Sequence, residues 1–139
     1  PWVPTNHLTE SYEKNEGIKG EFRESWRASL QFYRRFSASG LAEKAAILQF
    51  IQALMAAGFD ETLRAGRSLM RLILSRSRRY GLGPNQPFLC FEFKDQRLLV
   101  TTQDGPMATL DAIELTPALM ALVRALEQMP ITDPWQDLS

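Results

Sequence analysis

The residues of this chain that could do chemistry are mostly arginines. RAGRSLMRLILSRSRRY, from Arg64 to Tyr80, holds Arg64, Arg67, Arg71, Arg76, Arg78 and Arg79, six of the chain's 16 basic residues. A guanidinium keeps its charge at any physiological pH and presents a planar fork of donors to carboxylates and phosphates. If the segment is helical, Arg64, Arg67 and Arg71 at i, i+3 and i+7 share one face. Such a face is a solvated surface, an internal salt-bridge partner, or a docking site for something anionic. Charge is uneven along the chain although the formal net charge is zero. From Asp104 onward Asp104, Asp111, Glu114, Glu127, Asp133 and Asp137 stand against Arg124 alone. The two charge blocks can meet within the molecule, between subunits, or through a separate partner.

Other chemistry is thinly supplied. His7 and Cys90 are the only histidine and cysteine. Zinc and redox-metal sites need clusters of such ligands, so no metal and no cofactor is expected. His7 sits among Pro and Gly residues without a Ser or Cys partner motif, which argues for a solvated side chain rather than a catalytic base. Cys90 alternates with apolar neighbours and reads as a small core side chain. Pro1 carries a secondary amine, but Pro4 and the polar residues after it do not make the strand that an N-terminal proline catalyst needs. Glu92 and Asp111 could be neighbours across a sheet, though a solvent-facing glutamate is the ordinary explanation. GLGPNQP at 81–87 contains GxG but would follow a helix and precede a strand, the reverse of a phosphate loop. Ser75 and Ser77 lie beside arginines in a basophilic charge pattern that is nonspecific.

The elements that position these residues come next. Residues 1–20, with Pro1, Pro4, Gly17 and Gly20 and no apolar period, predict an extended N-terminal arm. Phe22, Trp26, Leu30, Tyr33 and Phe36 form one helical face and predict a first helix from Glu21. LAEKAAILQFIQALMAA predicts a second helix from Leu41, closed by Gly58. Asp60 as N-cap, with Leu63, Met70, Ile73 and Leu74 as the buried stripe, predicts a third helix carrying the arginines. After Pro87 the period changes to two. FLCFEF, RLLVTT and MATLDAIEL predict three antiparallel strands, with turns at Lys94–Gln96 and Gln103–Pro106. Thr116 and Pro117 predict the cap and first residue of a last helix, ended by Pro130.

The chain of 139 residues, 45% hydrophobic and 23% charged, suits one globular domain. The expected fold is α+β: three N-terminal helices, a three-stranded antiparallel meander and a C-terminal helix. The expected organisation is an arm at 1–20, one domain at 21–130 and a tail at 131–139. Trp26, Leu30, Leu48, Ile51, Met70, Ile73, Phe91, Val100 and Leu122 are expected to be buried together. No run of 18 apolar residues suggests a membrane span. The N-terminus lacks the basic start and apolar core of a secretory signal, and its lack of Met fits removal of an upstream piece or tag. One cysteine makes no internal disulfide, so a reducing cytoplasm is expected.

These observations favour a non-enzymatic binding module whose partner is a protein, or its own subunit, with an acidic surface. The binding residues are expected to be Arg64, Arg67, Arg71, Arg76, Arg78 and Arg79. Trp2 and Trp135, in opposite polar tails, act as anchors onto a partner or onto their own core. The alternative is a nucleic-acid binder resembling a winged helix. There the second and third predicted helices make a helix-turn-helix and the hairpin with Lys94 and Arg97 makes the wing.

Overall fold

The computed structural model describes residues 5–36, 41–68, 70–78, 82–83 and 85–133, with side chains described from residue 14 and not at position 41. The element order is α1 (Thr5–Arg35), α2 (Leu41–Ala56), a short turn of 3-10 helix (Phe59–Glu61), β1 (Arg64–Ser68), β2 (Arg71–Ser75), β3 (Phe88–Lys94), β4 (Arg97–Thr102), β5 (Gly105–Leu110) and α3 (Pro117–Glu127). The five strands form one antiparallel sheet in sequence order. The class is α+β, as expected, but its parts differ.

The third predicted helix does not form. Its residues make the hairpin β1–β2, in register from Arg64 opposite Ser75 to Ser68 opposite Arg71. The sheet therefore has five strands instead of three. The predicted helical stripe skips a turn, because Gly66 and Arg67 stand between Leu63 and Met70. The strand reading leaves no such gap. Ala65, Leu72 and Leu74 are buried, and they alternate with the half-buried or exposed Gly66, Arg71 and Ile73. Asp60 lies in the 3-10 turn that follows Gly58, whose φ of 92° lets the chain reverse at the end of α2.

The expected arm is also replaced. Residues 5–20 belong to α1, which runs for 31 residues. Ile18 extends the buried face backward by one turn, so Ile18, Phe22, Ser25, Trp26, Ser29 and Tyr33 form a continuous stripe. Gly17 and Gly20 lower helix propensity but do not break it.

α1 and α2 pack on one face of the sheet. Tyr33 meets Phe93 edge-on at 5.7 Å, and Phe50 meets Phe91 at 5.1 Å and Phe93 at 6.0 Å. Leu119, Val123 and Leu126 of α3 join the same core. The Thr116 hydroxyl caps α3 by accepting from the Leu119 N–H at 3.2 Å. Trp26, Ile51, Phe91 and Val100 are buried as expected, whereas Leu30, Leu48, Met70 and Leu122 are partly buried and pack around the core. Ile73 lies on the opposite sheet face, with Leu72 and Leu74 pointing inward in its place.

Candidate functional site

With a hairpin where a helix was expected, the arginines divide between two faces and several structural duties. Arg64 and Arg71 lie on the face turned away from the core, and Arg71 sits opposite Glu92 at 3.8 Å. Glu92 therefore faces a cation, and its partners in the sheet are Arg71 and Leu99 rather than Asp111. Arg76 is half-buried, and burial lowers its pKa. It donates through Nε to the Met129 carbonyl at 2.8 Å and through Nη1 to the Thr62 carbonyl. Arg78 grips both carboxylate oxygens of Glu21 at 2.9 and 3.1 Å, and that hydrogen bonding raises its pKa. Arg76 and Arg78 thus tie the hairpin to the segment just after α3 and to α1. Arg79, Trp2 and Trp135 lie outside the described residues.

The segment after α3 is fastened by the same group. Thr132 bridges Ser77 in parallel, donating its N–H to the Arg76 carbonyl at 3.0 Å and accepting from the Arg78 N–H at 2.7 Å. At Thr132 the expected tail makes an isolated β-bridge to Ser77.

Arg67 is placed differently. It points toward the helices at the exposed end of β1, with its guanidinium carbon 5.3 Å from the centre of the Phe32 ring. Phe32 stacks on Phe36 with centroids 5.4 Å apart and planes inclined by 22°. Ala28, Gln31, Phe32, Arg35, Phe36 and Arg67 line a groove of about 390 Å³. Two arginines and two phenyl rings meet there without a carboxylate in the lining, and neither Arg35 nor Arg67 forms an ion pair among the described residues. Sequence reasoning found Arg67 but missed Phe32, Arg35 and Phe36. Phe36 falls on the predicted apolar stripe of the first helix, and Phe32 falls off it. The available signal was the FYRRF cluster itself, with more aromatic residues than one helix face can bury.

The helix-turn-helix has no counterpart, because its second helix is the β1–β2 hairpin. Cys90 is half-buried on the outer sheet face between Ile73 and Thr101, and burial pushes its thiol pKa up, away from nucleophilic use. Among the described residues no three His, Cys, Asp or Glu side chains gather in a metal-binding group. Among them, too, no helix is long and apolar enough to cross a membrane. Comparison with known protein families, with curated proteins and with solved structures found no match to this chain, so the groove is the ground on which a function can be argued.

Proposed function

We propose that this chain is a non-enzymatic macromolecule-binding module that takes an acidic segment of a protein partner in the groove between α1 and β1. One observation carries the reading: Arg67 lies over Phe32 and shares the groove with Arg35, with no acidic residue in the lining. A guanidinium stacked on a ring keeps its in-plane N–H donors free for a carboxylate. The two phenyl rings offer apolar contact to the carbon chain beside that carboxylate. The matching ligand is a stretch rich in Asp and Glu with an apolar side chain between them, on another protein or on a second subunit. Cys90 as the single cysteine supports a cytoplasmic setting.

The stacked pair Phe32 and Phe36 also favours a second reading, a single nucleic-acid strand whose bases lie on the rings. Fluorescence anisotropy separates the two. A labelled Glu-Glu-Leu-Glu-Glu-Tyr peptide and a single-stranded oligonucleotide are titrated into the wild type and into Arg35→Gln/Arg67→Gln. The proposal expects the peptide to bind the wild type and to lose about tenfold or more in the variant. Tighter binding of the oligonucleotide, with a log–log salt slope of about 0.7 per phosphate, would favour the second reading. No binding of either ligand would overturn both.

A further inference from the structure

α1 seals the β1 edge of the sheet over two residues and stops short of a third. Trp26 Nε1 donates to the Leu63 carbonyl at 2.8 Å. The Ala65 N–H donates to Ser25 Oγ at 3.0 Å, and Ser29 Oγ lies 3.3 Å from the Ala65 carbonyl. Leu63 and Ala65 thus turn main-chain groups away from β2 and toward α1. In an antiparallel pair this direction repeats at every second residue. Arg64, Gly66 and Ser68 therefore bond toward Ser75, Ile73 and Arg71 of β2, and Arg67 turns its N–H and carbonyl outward as Ala65 does.

α1 offers Arg67 no main-chain partner. Ser25 and Ser29 are one helical turn apart, and the next turn brings Phe32 and Tyr33. Phe32 has no polar group, and the buried Tyr33 hydroxyl has no hydrogen-bond partner among the described residues. Neither the N–H nor the carbonyl of Arg67 is bonded among those residues. This pair of groups belongs to the residue whose guanidinium lies over Phe32 and lines the groove with Arg35 and Phe36.

We propose, resting on the acidic-segment reading of this groove, that the partner segment binds in extended form and exchanges two main-chain hydrogen bonds with Arg67. A helical segment has bonded its own main-chain groups already. A nucleic-acid strand carries no N–H beside a carbonyl along its backbone. An extended peptide presents both from one residue. The anchor is confined to Arg67, because α1 occupies Ala65 and Ser68 bonds toward β2. The peptide residue opposite Arg67 places its Cβ about 5 Å from that of Arg67, on the same side, so Asp or Glu there reaches the guanidinium. Residues two apart share that side, so acidic side chains at alternate positions face the two arginines of the groove.

The test is amide hydrogen exchange by NMR on the full chain, with and without the Glu-Glu-Leu-Glu-Glu-Tyr peptide. In the free protein the Arg67 amide should exchange fast and the Ala65 amide slowly. Saturating peptide should slow Arg67 about tenfold. Each peptide bond of the ligand is also replaced in turn by an ester, which removes one N–H and keeps the shape. One ester should bind about fivefold weaker than the parent and the others like it. Binding that shifts the Arg35 and Arg67 side chains but leaves Arg67 amide exchange unchanged, or treats all esters alike, overturns this proposal and leaves the groove reading standing. No binding at all removes the groove reading and this proposal with it. Protection of the Arg67 amide without peptide, growing with protein concentration, also overturns it, because a second copy would then fill the site.

Discussion

The indole N–H of Trp26 donates to the carbonyl of Leu63 at 2.8 Å, and neither side chain is accessible to solvent. With Ser25 and Ser29, it lets one helix satisfy the edge of a strand. Trp26→Phe keeps an aromatic ring but removes the N–H donor and part of the volume, leaving the Leu63 carbonyl buried without a donor beside a small void. It should cost about 1–3 kcal/mol. Ser25→Ala should cost a similar amount by orphaning the Ala65 N–H. Urea denaturation measures both, and midpoints equal to wild type would show that α1 does not seal β1.

The extension of α1 over residues once expected to be an arm has its own test. Gly17 and Gly20 lie within the helix, and a Cβ added at either position meets no atom within 4 Å. Gly17→Ala and Gly20→Ala should each stabilise the protein by about 0.4–1 kcal/mol. A lowered melting temperature in either variant would contradict a helix there.

Leu74 is fully buried as a strand residue, while its neighbour Ile73 faces outward. Leu74→Ala should cost about 2–5 kcal/mol, and Ile73→Ala clearly less. A helix at 64–80 would bury the two residues together, so equal losses would favour it. In α2 the same comparison sets the fully buried Leu54 above the half-buried Leu48.

Tyr33 is buried and its hydroxyl has no hydrogen-bond partner among the described residues. Burial raises its pKa. The folded state therefore holds this proton more tightly than the unfolded chain. The associated stability is complete below the ordinary tyrosine pKa of about 10 and is lost as pH rises above it. Tyr33→Phe should equal or exceed the wild type in stability at neutral pH, since it removes an unpartnered buried hydroxyl. Its advantage should grow above about pH 10 in urea titrations. A variant less stable at both pH values would show that the hydroxyl has a partner.

The sequence carried the second half of the fold well. Leu89, Phe91 and Phe93 alternate cleanly, the turn after Lys94 falls where Asp95 and Gln96 adopt positive φ, and Thr116-Pro117 marks the start of α3. Strict alternation and a cap are local signals, so they survive without knowledge of the rest of the chain. The failures came from tertiary effects. RAGRSLMRLILS is compatible with a helix by propensity, and it becomes a hairpin because Trp26, Ser25 and Ser29 supply partners for its edge and the core takes Leu72 and Leu74. Gly17 and Gly20 read as breakers because the contribution of Ile18 to the core is invisible without α1. The binding groove was half legible: Arg67 stood out by type, but its meeting with Phe32 and Arg35 depends on a register that only the folded chain defines.

The groove is tested most directly by NMR of the arginine side chains. The Nε–H signals are assigned by single Arg→Lys variants, and the Glu-Glu-Leu-Glu-Glu-Tyr peptide is then titrated into the wild type. The account predicts that Arg35 and Arg67 shift together and saturate with one peptide, while Arg71, Arg76 and Arg78 stay in place. Shifts confined to Arg71 and the outer sheet face, or an absence of shifts at Arg35 and Arg67, would contradict it.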